Sequence, residues 1–357
     1  MSQFQTTTEN SNPDQPAFHV REATPGDNPA LLALDRQCVV AAATPVAFDR
    51  SPDFFARSRP YTHWRTYVAE GASGLLGVGA MALKRVLVDG RPVEAAYFYD
   101  LRVAPAYRRL GVAKAVGDAI RAYARSLRPA VGYSLVMEGN VASLTFVQGR
   151  GSRPLRSCAL RLIPVEAMAA ADPALAGLRA LGDAEIESAL DLVRAAHRDH
   201  DLFPFPDVAS IRDRLHRLGG SGFAGLYGWD DRGTLAGCFG LWDYSPVMRM
   251  RILQGELEWE WAVGRDLHLV FLMPLGFQEV RGLADAVRLA AVRLRRSAAP
   301  GVTHVLALTH DMEDTAYAAL DQFRPIRMGF TLFGLELGGA GDLSLGGRPV
   351  FVDPADL

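Results

Sequence analysis

Runs with an apolar residue at every second position alternate along this chain with segments whose apolar residues recur every three to four. These are the periods of strands and helices. Phe18 to Glu22 predicts a short strand, and Thr24-Pro-Gly-Asp27 supplies turn and N-cap chemistry ahead of an Ala/Leu-rich helix. Ser51-Pro-Asp53 predicts the cap of a second short helix. Extended runs follow at Arg65 to Glu70 and Leu75 to Val88, and Asp89-Gly90 marks a hairpin turn before a returning strand, Val93 to Val103. After Pro105 the period becomes helical from Gly111 to Ser126. A strand at Val131 to Met137, a helical segment at Val141 to Val147 and a strand at Leu155 to Pro164 complete this half.

The same order returns after an Ala/Pro stretch, Ala167 to Ala176, that reads as a linker. Strands are expected at Leu178 to Leu181, Phe223 to Tyr227, Thr234 to Trp242, His268 to Met273, Thr303 to Thr309 and Arg327 to Leu337. Helices are expected at Asp183 to Asp199, Val208 to Leu218, Val280 to Arg296 and Asp314 to Phe323. At an offset of 171 residues, Tyr107 to Asn140 faces Gln278 to Asp311 without a gap, and ten of the 34 pairs are identical. Glycine and proline punctuation matches as well, Gly111 with Gly282 and Pro129 with Pro300, which points to an internal duplication. A length of 357 residues fits two α/β domains, 17–166 and 177–357, behind a disordered polar tail at 1–16 and joined by the linker 167–176.

Composition narrows the function. With 49% hydrophobic and 22% charged residues the chain is not intrinsically disordered. A net charge of −2, from 38 basic and 40 acidic residues, provides no drive toward nucleic acid or an anionic membrane. The three scattered cysteines, Cys38, Cys158 and Cys238, suit neither a disulfide framework nor a zinc ribbon. A cytoplasmic protein is the expectation, without metal, nucleic-acid or membrane partners.

The chemistry concentrates in Tyr99 to Ala113, YDLRVAPAYRRLGVA. A strand ends at Pro105, a loop carries Arg108, Arg109 and Gly111, and a helix begins. Such a turn aims backbone N–H groups and the positive end of a helix dipole at one point, with two guanidiniums beside it. Gly111 permits close approach of a ligand. Together these suit a pyrophosphate. Arg108-Arg-Leu-Gly111-Val-Ala113, preceded by Leu101-Arg-Val103 and Pro105, resembles the R/Q-x-x-G-x-G/A signature of the GCN5-related N-acetyltransferases (GNAT). Asn140, Ser143, Phe146 and Gly151 stand where that family's second motif places Asn, Ala, Leu and Gly.

The resemblance implies a fold, a co-substrate and an activity. The fold would be two tandem GNAT-like domains, each a mixed central sheet with helices on both faces and a splayed acyl-CoA cleft. Acetyl-CoA, or another short acyl-CoA, would lie in the cleft. The backbone from Leu110 through Val112 and Ala113 to Lys114 would hold the pyrophosphate, Leu101, Arg102 and Val103 would pair with the pantetheine arm, and Asn140 would assist near its end. Lys114, Arg150 and Arg153 remain open for the 3′-phosphate. Acyl transfer to an amine also needs a base, and Asp100, Glu94 and Glu138 are the candidates. The backbone N–H of Val103 would stabilise the oxyanion. Tyr97 and Tyr99 project opposite to Asp100, where either shapes the acceptor pocket, and Tyr99 also counts among the catalytic candidates. Many family members place a tyrosine seven residues after the Asn to protonate the departing thiolate. Here that residue is Val147.

In the second half Glu279 replaces Arg108, Asp285 replaces Lys114 and Asp311 replaces Asn140. Acidic residues oppose a pyrophosphate, so a degenerate copy is expected, closing the acceptor site or a homodimer face. The sequence therefore reads as an N-acetyltransferase for a small-molecule primary amine, by direct transfer. The alternative is a non-catalytic acyl-CoA sensor or assembly protein. Three further features carry less. His197 and His200 share a helix face at metal-ligand spacing, with a solvated helix end as the plainer reading. Glu256 to Trp261 alternates as an acidic, Trp-backed strand. Tyr61, His63, Trp64 and Tyr67 are open to either an acceptor pocket or the core.

Overall fold

The computed structural model describes residues 17–166, 177–256, 259–297, 303–335, 337 and 345–357. The expected tail and linker lie outside them. The first half runs β1 (Phe18–Glu22), α1 (Asn28–Gln37), β2 (Val46–Asp49), β3 (His63–Gly71), β4 (Gly74–Val88), β5 (Arg91–Val103), α2 (Val112–Leu127), β6 (Val131–Met137), α3 (Val141–Gln148) and β7 (Arg153–Pro164). The second runs β8 (Arg179–Ala180), α4 (Asp183–His197), α5 (Val208–Leu218), β9 (Phe223–Asp231), β10 (Thr234–Asp243), β11 (Arg249–Ile252), β12 (Asp266–Phe277), α6 (Arg281–Ser297), β13 (Thr303–Asp311) and β14 (Ile326–Leu335).

Among the described residues these strands form one 14-stranded mixed sheet, in the order β1-β3-β4-β5-β6-β14-β7-β13-β12-β10-β9-β8, with β11 paired to β12 and β2 to β11 off that path. The duplication is visible in it. β5–α2–β6 and β12–α6–β13 are both parallel pairs joined by a helix, and Tyr97↔Tyr133 falls on His268↔His304 at the same offset of 171. The halves also exchange strands, because β14 from the second lies antiparallel between β6 and β7 of the first.

Helix α2 buries Val112, Val116, Ile120 and Ala124, four residues apart, against the sheet. Two glycines of β4 make the room. A Cβ on Gly77 would stand 2.7 Å from Val112, and one on Gly79 2.8 Å from Ile120. The opposite face of β4, β5 and β6 packs on the second half, in a core that joins Ala80, Tyr97 and Tyr133 to Trp242, Phe271 and Val352.

Three local expectations change. Trp259 to Trp261 forms part of a turn, not a strand, with Trp259 N–H bonded to the Glu256 carbonyl at 2.9 Å; Leu257 and Glu258 lie outside the described residues. The helices expected after Asp53 and Asp314 are 3-10 turns, Phe54–Ser58 and Thr315–Phe323. The short strands β2 and β11 carry no periodic signal because each has four residues. They find each other across the halves, from Asp49↔Arg249 to Val46↔Ile252.

Strand exchange predicts that a fragment limited to 17–166 cannot hold its sheet, since β6 and β7 lose the strand between them. Circular dichroism and gel filtration should show an aggregating or unfolded fragment that co-expression of 177–357 rescues. A compact, monomeric fragment would refute this.

Candidate functional site

β5 and β6 pair at only three positions, Ala95↔Val131, Ala96↔Gly132 and Tyr97↔Tyr133. Beyond the tyrosines they part. Phe98–Val103 and Ser134–Met137 border a gap that opens toward the carboxyl ends of both strands. β5 remains bonded to β4 as far as Val103, and β6 to β14 as far as Met137, so the gap is bordered by firmly held strands. Asp100 and Leu101 bulge opposite Gly79, with Asp100 at φ 57°.

At the mouth of the gap the chain turns through Pro105–Tyr107, anchored by Ala104 N–H to the Leu76 carbonyl at 2.9 Å and by Tyr107 to Ser73 at 2.5 Å. Arg109 and Gly111 take positive φ, 65° and 81°. Such a turn directs successive N–H groups into one concavity, at the amino end of the 16-residue helix α2. A Cβ on Gly111 would meet nothing within 4 Å, so the space before it is open. Arg108, Arg109 and Lys114 surround it, exposed. Lys114 and Arg150 both pair with Asp118, which gathers two of the three cations considered for a phosphate.

The second half parts later along its strands, after Phe271↔Ala307. Its parallel pair continues from His268↔His304 through Leu269↔Val305, Val270↔Leu306 and Phe271↔Ala307. It stays zipped for three residues beyond the point where β5 and β6 part. Farther along β12, buried His197 places Nε2 2.9 Å from the Leu275 carbonyl, and α4 packs on Gly276. At the start of α6, a Cβ on Gly282 would stand 2.9 Å from Phe277 and 3.3 Å from Trp229. Side chains of this chain therefore occupy what is open beside Gly111.

No family model matches the sequence, and a search of curated proteins found no match. Solved structures do match. The N-myristoyltransferase of Saccharomyces cerevisiae with bound myristoyl-CoA aligns over 92% of this chain and 81% of its own, at 11% identity and a TM-score of 0.62. A tandem GNAT protein from the clavulanic acid biosynthesis pathway aligns over 91% and 100%, at 16% identity and a TM-score of 0.60. The chain has a tandem GNAT fold. A GNAT protein from Sphaerobacter thermophilus gives 91%, 98%, 16% and 0.59 by the same measures.

Within this GNAT fold several expected site residues are placed differently from their expected roles. Asp100 is not free to accept a proton. Its carboxylate takes two bonds from Arg50, at 2.6 and 2.7 Å, and another from Arg57. Burial alone would push this carboxyl up, but the two guanidiniums outweigh it and hold it well below the usual range. A carboxylate so stabilised is a weak base. Glu94 lies at the far end of β5, opposite Arg85 and about 30 Å from Val103 at ~3.3 Å per residue. Glu138 follows β6 directly, exposed, its backbone fixed to Gly329 and Ala43. Tyr99 lies in the core shared with the second half, stacked on Tyr97 at 5.0 Å and bonded to Ser58 at 2.8 Å.

The Arg102 side chain turns away from the gap to Asp35, 3.0 Å away, and to the Cys38 carbonyl, which leaves its backbone alone on the cleft. Asn140 caps α3, its Oδ1 accepting from Ser143 N–H at 3.2 Å. Phe146 packs on α2 at Gly117. His197 is buried, not solvated. Burial and His200 push its imidazole down to about 3, and His200 pairs with Asp314 at 3.2 Å. Among the described residues no group of three His, Cys, Asp or Glu is placed to hold a metal. Tyr61 joins Tyr97 and Tyr99, whereas His63 and Tyr67 pack on Tyr123 of α2, so the aromatic group divides between the two faces.

Sequence reasoning missed a buried network beneath the point of parting. Lys84 Nζ lies 2.7 Å from both Asp353 and Asp356, and Arg214 bonds Asp353 at 3.1 Å. Tyr133 and Tyr61 donate to the Asp356 carboxylate at 2.7 and 2.9 Å, and Tyr97 and Arg57 donate to its carbonyl. The available signal was a lysine at an inward position of a largely apolar strand, GLLGVGAMALKRVLV.

Asp100→Asn should therefore destabilise the fold, by about 3–5 kcal/mol, because it leaves buried guanidiniums uncompensated. The native carboxyl is depressed, so its contribution is present above the unfolded value near 3.9 and is lost as pH falls below it. Chemical denaturation at pH 7 should show the full deficit and at pH 3 a smaller one. Equal stability at pH 7 would contradict the clamp.

Proposed function

We propose that the protein is an acyl-CoA-dependent N-acyltransferase whose first half holds the donor. The carrying observation is the asymmetry of the duplicated pair: β5 and β6 part after Tyr97 and Tyr133 above an open glycine turn, while β12 and β13 stay paired for three residues more, His197 bonds β12 beyond that point and side chains crowd Gly282. A pyrophosphate fits the N–H groups and exposed cations at Gly111. The pantetheine arm then follows the unpaired edge of β5 inward, exchanging amide hydrogen bonds with it.

The donor we favour is acetyl-CoA or another short acyl-CoA. Tyr97, Tyr99 and Tyr133, all buried and hydrogen-bonded, fill the acceptor face where the strands rejoin and leave little depth for a long chain. The acceptor we favour is a small-molecule primary amine, attacking the thioester directly. The net charge of −2 argues against a strongly charged polymer.

Acetyl-CoA titrated calorimetrically should bind wild type at one site. Gly111→Val should abolish binding, because a branched side chain at positive φ is strained and fills the cradle. Trp229→Ala should leave the single site unchanged. Binding that survives Gly111→Val would move the donor elsewhere, and turnover of no amine in a library would favour a sensor.

A further inference from the structure

The proposed donor site leaves one chemical need unmet. When an amine attacks the thioester, an N–C bond forms, the C–S bond breaks, and sulfur leaves with the electron pair. The proton lost from nitrogen ultimately balances that charge as the free thiol. Until it arrives, sulfur needs a hydrogen-bond donor. The tyrosine that the family resemblance would place on α3 is Val147.

Among the described residues, four buried hydroxyls have no hydrogen-bond partner: Thr66, Ser134, Ser152 and Tyr244. Ser134 alone of these lies on a strand bordering the gap. It is the first residue of β6 beyond the last pair with β5, Tyr97↔Tyr133. Its backbone is committed on the far side to Phe333 of β14, so its position is fixed. It is 7% exposed. Alternation along β6 turns its side chain away from the Tyr133 face and onto the face of Gly132, which meets Leu337 in the core beneath α2. Helix α3 also packs against α2, through Phe146 on Gly117, so Ser134 and Val147 lie on the same side of the sheet. An extended arm whose pyrophosphate sits at Gly111 carries its sulfur toward the inner end of the gap, where Ser134 stands.

We propose that the Ser134 hydroxyl is the hydrogen-bond donor to the donor sulfur, in place of the absent tyrosine. This rests on the acyl-CoA reading above. A buried hydroxyl without a partner destabilises the fold it sits in, and the arriving sulfur completes its bonding.

The test compares CoA with desulfo-CoA, which lacks the sulfur, by calorimetry. Wild type should prefer CoA by roughly three- to tenfold, and Ser134→Ala should lose most of that preference while still binding desulfo-CoA as wild type does. The unfolding midpoint of Ser134→Ala should be equal to or above that of wild type, since an unpaired buried hydroxyl is removed. With acetyl-CoA and an active amine, kcat should fall about tenfold or more with the KM for acetyl-CoA little changed. A preference for CoA that is the same in both proteins, or absent in wild type, overturns the role of Ser134 and leaves the donor site standing. Failure of wild type to bind either nucleotide overturns the acyl-CoA reading itself, and this inference with it.

Discussion

A strand that leaves its neighbour on one side keeps its course only if it stays paired on the other. This constraint governs the site. β6 departs from β5 after Tyr133, and the backbone groups on that edge lose their strand partners to the gap. β14 holds β6 from the second half, pairing with it from Gly132 to Met137 and with β7 along its other edge. The same pairing binds the halves into one sheet, so the opening in the first half is held by a strand from the second.

Around that opening the charges are placed to stiffen. Asp100 bulges out of β5 at a positive φ, and Arg50 and Arg57 hold it there. Both arginines come from the stretch between β2 and β3, so the clamp ties that segment to the strand that borders the gap. Lys84, Asp353 and Asp356 tie the carboxy-terminal segment beneath the same strands. Burial pushes the Asp356 carboxyl up, Lys84 pulls it back, and neighbouring Asp353 adds to the rise. These groups stand close to the proposed chemistry, yet their hydrogen bonds are spent on one another, as suits a rigid frame better than a proton shuttle.

Duplication explains the asymmetry. Two copies of a strand–helix–strand unit began with the same punctuation, Gly111 and Gly282, Pro129 and Pro300. In the second copy Trp229 and Phe277 crowd the glycine and His197 takes a carbonyl of β12. A unit filled in this way serves as a wall, and β2 paired with β11 joins that wall to the first half.

Local pattern was enough to place the regular elements. Val131 to Met137 and Val208 to Leu218 are found as read, and β4, β5 and α2 differ from their expected bounds by a residue or two, because strand and helix periods and a glycine-bearing turn are local properties. The turn at Arg108 to Gly111 was legible for the same reason: a short stretch of backbone makes it. The fate of Asp100 was not, since Arg50 and Arg57 lie more than forty residues away and only folding sets them against it. Nor was the exchange of β14, the pairing of β2 with β11, or the Lys84 network, which joins residues 269 apart. Sequence by itself determined the elements, the repeat and the glycine-bearing turn, because these are written in neighbouring residues. Tertiary structure decided which copy opens, which carboxylates are bound by cations and which hydroxyl is left without a partner, because these depend on what distant segments bring to the same place.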